Sequence, residues 1–477
     1  MSRIEVELVE EEPVEPSPGP ERTDERVRRL RWWLVLGVAL LVVAAASVQH
    51  VVDARRVAQA TRFDHVPGVL PRFEGSAAFG STGEAVDPRQ LVPVGPVAVL
   101  ARTDTTTASV VAFERATARR AWSTRVPLRP EVASSLAQDQ TRPAASCRAM
   151  GAPGTASWGE HVACEIRPGT VRLPRVDPTQ LVVLRTSDGA LVDTRPLLAE
   201  AWTVAGSHVV TAVAERDETG SESWTVRAGT ASGEPVWTWR ASAPVAREST
   251  TYSASLEASA PGTLLTVRGR WWLLDEDGRL VREGGGPGVG TVPARAGAVL
   301  ETDSSGSRLV GTEGAQDLRE TLLPLLVDDG SAPDTVWFSQ PTDDGGQVVA
   351  RSTATAEVTW RRDLVARSAL LLDGRLYVCN ERTIAALDAR DGTTLWQAAR
   401  SAPWCDLVTD GRVVVAVDDG LDLAAYGLED GRERWTAQFA LGDVDTAFPP
   451  TGLAVTEWPS GLVSLLVPGL PMDVERR

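Results

Sequence analysis

The sequence predicts an all-β fold assembled by tiling a four-stranded unit, and three observations carry that prediction. A thirteen-residue block recurs along the chain and is cleanest at Ile384 to Trp396 (IAALDARDGTTLW) and Leu423 to Trp435 (LAAYGLEDGRERW). Its closing positions fall at 122, 193, 237, 282, about 320, 360, 396 and 435, a usual spacing of 36 to 45 residues, which suits a four-stranded unit. No stretch after residue 65 sustains a helical period.

Each block is an apolar run, an acidic-Gly turn and a short run closed by Trp, which spells strand, hairpin turn and strand. Weaker copies follow the same frame. Val110 to Trp122 and Val348 to Trp360 keep the Trp but place Ala118 and Ala356 in the turn, while Thr225 to Trp237 keeps both Gly233 and the Trp. Leu181 to Asp193 and Arg270 to Arg282 keep the turn and lose the Trp, and a faint copy runs from Arg308 to Glu320. The long gap between 122 and 193 reads as one unit with an enlarged loop. Strand-like runs between blocks, such as Ala369 to Asp373 followed by Gly374 to Asn380, and Leu407 to Thr409 followed by Gly411 to Val417, complete four strands per unit.

The pattern of apolar run, Leu-Asp, acidic-Gly and Trp resembles the tryptophan-docking repeat of quinoprotein-like propellers, over residues 90 to 470. The resemblance implies a PQQ-like β-propeller of about eight four-stranded blades, with Trp122, Trp237, Trp360, Trp396 and Trp435 packed between neighbouring blades. A ring buries its core between neighbours and so can run to this length as one unit.

Trp32 to Val48 (WWLVLGVALLVVAAASV) is uncharged, and its apolar character continues to Val52. That length matches the hydrocarbon thickness of a bilayer, and Trp32 and Trp33 stand where an interfacial belt would be. A cleaved signal peptide is the competing reading. Arg22, Arg26, Arg28, Arg29 and Arg31 precede the run against Arg55, Arg56 and Arg62 after it, which favours a cytoplasmic N-terminus and an extracytoplasmic propeller. The expected organisation is a disordered acidic cytoplasmic tail over 1–31, a single-pass helix over 32–52, a stalk leading into the propeller over 53–94, the propeller over 95–470 and a C-terminal tail over 471–477.

All four Cys lie beyond the apolar run, which suits an oxidising compartment. Of the three possible pairings, local topology prefers Cys147 with Cys164 and Cys379 with Cys405. Cys379 ends the second strand of one unit and Cys405 begins the first strand of the next, so antiparallel neighbours bring both to one face of the ring. With no C-x-x-C pair, a thiol metal site is disfavoured.

The chain has no Lys and a single Asn, Asn380, which removes Schiff-base and P-loop chemistry and leaves no glycosylation sequon. The net charge of -16 repels phosphate backbones, so nucleic acid is not an expected partner. In quinoprotein dehydrogenases the resemblance implies a quinone stacked on Trp, a cap of two adjacent Cys and a calcium held by Glu, Asn and Asp. Here no two Cys are adjacent, and Asn380 reads as structural, so PQQ and calcium are disfavoured though not excluded. Asp275-Glu276-Asp277, Asp343-Asp344 and Asp418-Asp419 could ligate calcium by type, but each stands at a hairpin and reads as turn chemistry. His50, His65, His161 and His208 are scattered without a nucleophile motif.

No catalytic, cofactor-binding or metal residues are expected. The leading function is a membrane-anchored, non-catalytic propeller that binds or scaffolds a protein or cell-envelope ligand. A PQQ-dependent oxidoreductase and a carbohydrate-binding sensor ectodomain are the alternatives. Trp158 and Trp202 are the candidate loop aromatics for the latter.

Overall fold

The computed structural model describes residues 91–439 apart from connecting segments, of which 104–106, 115–118, 133–143, 152–158, 168–178, 246–253, 401–404 and 418–422 are the longest. It also describes part of residues 62–69 and three short strands within 453–476. The membrane segment read at 32–52 and the tail before it lie outside the described residues. Among those described, no helix is long and apolar enough to cross a membrane.

Eight sheets follow one another along the chain, spanning 92–126, 144–196, 201–240, 254–285, 290–318, 321–363, 368–399 and 406–439. Successive strands pair antiparallel, so each sheet is a meander; an added strand lies outside the first strand of the seventh sheet and outside the last strand of the eighth. The third strands are continuously buried, as in Gln180–Arg185 and Thr383–Asp388, and this is why their sequences are unbroken apolar runs. A strand covered on both faces has no solvent side on which to place polar residues. The fourth strands, such as Leu191–Pro196, Pro235–Arg240 and Leu280–Gly285, alternate exposed and half-buried positions and form the edge opposite the first strands.

The cores lie between sheets. Seven hydrophobic clusters each join one sheet to its successor, from Val99, Val110, Val162 and Val182 at the first joint to Leu370, Ile384, Leu407 and Val414 at the last. One further cluster, Leu91, Ala98, Leu100, Val111 and Phe113, lies on the first sheet alone; the other seven are shared, so most units depend on their neighbours for a core.

The turn between third and fourth strands is built the same way in most sheets. A register shift falls at Ala112/Phe113, Val183/Leu184, Ala228/Gly229, Leu273/Leu274, Ala350/Arg351, Ala386/Leu387 and Ala425/Tyr426. Gly189, Gly233, Gly278, Gly392 and Gly431 all carry positive φ, between 61 and 86°. This is the bulged hairpin turn that places glycine in the left-handed region. Ala356 occupies the same place at φ 63°, paying the steric cost that glycine avoids.

The fifth sheet departs from the frame. Its third and fourth strands, Gly306–Val310 and Ala315–Leu318, pair without a shift, and Glu320 lies beyond the strand end. The faint copy at Arg308 to Glu320 is therefore out of register with the others. In the sixth sheet the first-strand edge is divided. Thr321–Leu322 pairs within the sheet, whereas Leu325–Asp328 crosses to lie parallel to Ser368–Leu372 of the seventh.

Two segments read as flanking pieces pack on the sheets. In the stalk, Val66 and Val69 are buried in the core between the seventh and eighth sheets, with Phe63 against them, and Arg62 forms an ion pair with Asp373. Within the segment read as a C-terminal tail, Met472–Arg476 pairs antiparallel to Glu433–Phe439 as a fifth strand; ahead of it, inside the span read as propeller, Leu453–Val455 pairs antiparallel with Val463–Leu465.

Candidate functional site

The recurring site of this molecule is the slot where the fourth strand of one sheet meets the bulged turn of the next. Trp122, Trp360 and Trp396 fill theirs in one geometry. Each ring lies over the turn glycine of the following sheet, Gly189, Gly392 and Gly431, so closely that a Cβ added there would fall under 3.0 Å from ring carbons. Each indole N–H donates to a backbone carbonyl of the same turn: Trp122 to Thr186 at 2.7 Å, Trp360 to Ala389 at 3.1 Å and Trp396 to Leu428 at 2.9 Å. Trp237 lies over Gly278 in the same manner, but its indole N–H has no acceptor among the described residues. Trp435 closes the eighth sheet, half-buried on Glu433–Phe439.

The copies that lack Trp fill their slots with charge. Asp193 and Arg195 form an ion pair against Gly233, the next turn. Arg282 reaches across to the Val310 and Gly311 carbonyls, replacing the indole N–H with a guanidinium donor. Burial pulls the Arg282 guanidinium down from its usual range. Glu320 is buried and pairs with Arg351 at 2.9 Å, and Arg351 also donates to the Ala356 carbonyl at 2.8 Å. Burial pushes the Glu320 carboxyl up, but the Arg351 hydrogen bond, the Arg319 N–H and the Arg351 charge outweigh it and hold the group below the ordinary range. The sequence frame marks positions 193 and 282 as lost Trp. A charged residue at a frame's closing position is the signal that the slot is filled by other means.

The last joint is the most heavily tied. Tyr377 donates to the same Leu428 carbonyl as Trp396, at 3.2 Å, and the two rings stand 6.0 Å apart. Burial pushes the Tyr377 hydroxyl up to about 12. Arg375 pairs with Glu429 across this joint at 2.9 Å. On the opposite side the Cys379–Cys405 disulfide links the end of Arg375–Cys379 to the residue before Asp406–Thr409, with Cα atoms 6.1 Å apart. The Cys147–Cys164 disulfide joins directly paired residues of neighbouring strands. Both bridges match the pairing read from the sequence, and no free cysteine remains.

Asn380 follows the strand end and is structural. Its Nδ2 donates to the Val365 carbonyl at 2.8 Å, and its Oδ1 accepts the N–H groups of Arg382 and Thr383. Asp275 likewise accepts the N–H groups of Asp277 and Arg279, closing its own turn. Asp343-Asp344, Asp418-Asp419, His50, His65 and Trp158 lie outside the described residues. His161 and His208 begin separate strands, His161–Arg167 and His208–Arg216. Trp202 is no loop aromatic: it is 4% exposed on Ala201–Ala205, because its ring completes the core between the second and third sheets. Among the described residues no group of His, Cys, Asp and Glu could hold a metal ion.

Residues 326–449 match the family model described as outer membrane protein assembly factor BamB. No curated protein matches the chain. The solved structure of BamB from Moraxella catarrhalis is similar at 16% identity, over 76% of this chain and 97% of that one, with a TM-score of 0.32. A eukaryotic initiation factor is similar at 10% identity over 77% and 89% of the two chains, with a TM-score of 0.42. Quinohemoprotein alcohol dehydrogenase from Comamonas testosteroni is similar at 12% identity over 78% and 71%, with a TM-score of 0.29. At these TM-scores the three likenesses bear on nothing beyond themselves. The family match falls on the sixth to eighth sheets, where the two cleanest copies lie, and the resemblance to the PQQ-like propeller repeat is thereby shown.

Proposed function

We propose that this chain is a membrane-anchored, extracytoplasmic, eight-bladed propeller that acts as a binding or scaffold module for a protein or cell-envelope ligand, without catalysis and without PQQ or calcium. The observation that carries this reading is where the reactive side chains are spent. The Cys are paired, Asn380 and Asp275 close their own turns, and Glu320, Arg351 and Arg282 fill slots between sheets. Those groups hold the ring together, which is what a scaffold asks of them. The description of the matching model as an assembly factor supports a partner-binding role of this kind. Two disulfides support an oxidising compartment, and the uncharged run from Trp32 supports the anchor.

Titration of the full-length chain in detergent with PQQ and calcium, followed by absorbance and dye-linked turnover, tests the absence of catalysis. No saturable change is expected. Micromolar binding with substrate-dependent dye reduction would make the protein an oxidoreductase. Reporters fused after Arg477 that are active on only one side of the membrane test the topology. Cytoplasmic activity would reverse it.

A further inference from the structure

A fourth strand ends its sheet with a row of backbone groups that pair with nothing in that sheet, and such a row invites a further strand unless charge, proline or a cover blunts it. The fourth strands of the first six sheets are blunted by charge. Arg125, Asp193, Arg240, Glu283, Asp317 and Arg362 each stand on one of them, in chain order. Glu433–Phe439 of the eighth sheet is both charged and covered, since Met472–Arg476 pairs along it. The seventh sheet has neither protection. Its fourth strand, Thr394–Ala399, reads TLWQAA, with no charge, no proline and no glycine. Trp396 and Ala398 turn into the core shared with the eighth sheet, while Leu395, Gln397 and Ala399 are exposed, Leu395 at 46%. Among the described residues nothing pairs along the far side of this strand.

A strand that covers this edge meets two demands. It must supply a free backbone row of its own, and it must lay uncharged side chains beside Leu395 and Gln397, because a charge there would lose water without gaining a partner. A second copy of the same strand meets both by construction. Two identical edges pair antiparallel about a two-fold axis, each supplying the row that the other lacks, and the contact closes at two copies because both edges are then used. The eighth sheet shows that a fourth strand in this fold accepts a fifth in the antiparallel direction. The net charge of -16 sharpens the choice: two copies repel one another over most of their surface, and an uncharged strand is where that repulsion is least.

We propose that two copies of this chain associate through Thr394–Ala399, antiparallel and edge to edge, joining their seventh sheets into one continuous sheet. The scaffold reading does not require this contact, and either can fail without the other.

The test is analytical ultracentrifugation of the full-length chain in detergent at micromolar concentration, with the bound detergent subtracted from the mass. A dimer is expected. Leu395→Arg and Gln397→Arg each place an arginine on both edges of the pair, and each is expected to weaken the dimer by about ten-fold or more through like charge set across paired strands. Val281→Arg, at an aliphatic residue 45% exposed on the fourth strand of the fourth sheet, adds the same charge elsewhere and is expected to leave the dimer unchanged. The apolar run from Trp32 is present in all four proteins, so a dimer held by that run would survive every substitution. Urea midpoints check that the variants fold. A monomeric wild type, a dimer untouched in folded Leu395→Arg and Gln397→Arg variants, or equal weakening by Val281→Arg would overturn the edge pairing.

Discussion

Gly431→Ala puts a methyl group where the Trp396 ring already lies, and its cost can be divided. The backbone at Gly431 has φ 61°, so any Cβ meets the left-handed penalty of about 1–2 kcal/mol. The new Cβ would also fall under 3.0 Å from the ring of Trp396 and force it aside, an overpacking cost of about 1–3 kcal/mol. The single variant should therefore lose about 2–5 kcal/mol. Trp396→Ala alone removes a ring only 9% exposed and should cost about 3–5 kcal/mol. The lower end is expected, because the Leu428 carbonyl keeps Tyr377 as a donor. In the double variant the methyl meets no ring, and Gly431→Ala should cost only its backbone penalty, so the pair is less destabilising than the sum by about 1–3 kcal/mol. Urea titrations followed by far-UV circular dichroism measure all four proteins by midpoint at constant slope. If Gly431→Ala costs the same with and without Trp396, the ring does not press on that turn and the slot geometry is mistaken.

Three further outcomes follow from the joints. Glu320→Gln should cost about 3–5 kcal/mol by leaving Arg351 buried opposite a neutral group. Because the folded pKa of Glu320 lies below its ordinary value of 4.5, its contribution is complete above that pH and fades as the pH falls through the folded pKa, so the variant should show a flatter acid limb in urea midpoints. Replacing Cys379 and Cys405 together by Ser should lower stability by about 3–4 kcal/mol, from the chain entropy of a loop with sequence separation 26, and a reducing agent should then affect the variant less than the wild type. Val66→Ala and Val69→Ala should each cost about 1–2 kcal/mol in the same titration, and a stalk that hangs free would give no loss.

The sheet count and the joint geometry were legible because one period governs both. Where Gly392 and Trp396 stand four apart, the turn and the strand it feeds are written together in one block, and the same block repeats. The pairing of Cys379 with Cys405 was legible for the same reason, since the strand order puts both on one side of a joint. The charged slots were not, because Asp193, Arg282 and Glu320 acquire their role from residues in another sheet, and a frame that scores aromatic character sees only a loss. The fifth sheet slipped out of frame because its turn has no bulge and hence no left-handed glycine to mark it. Trp202 misled through its position between turn signals. Its burial comes from the second sheet, Met150 and Leu181 included, at a distance in sequence that no local pattern carries.

The partner of Trp122, Trp360, Trp396 and Arg282 is in every case a peptide carbonyl. Peptide carbonyls do not mutate. A joint read by the main chain asks its occupant only for an N–H at the right reach, so an indole can drift to a guanidinium without any matching change on the other side. Repeats joined in this way can diverge one at a time, each copy losing its likeness to the next while the assembly persists. The uneven quality of the blocks along this chain is the record that such a joint leaves.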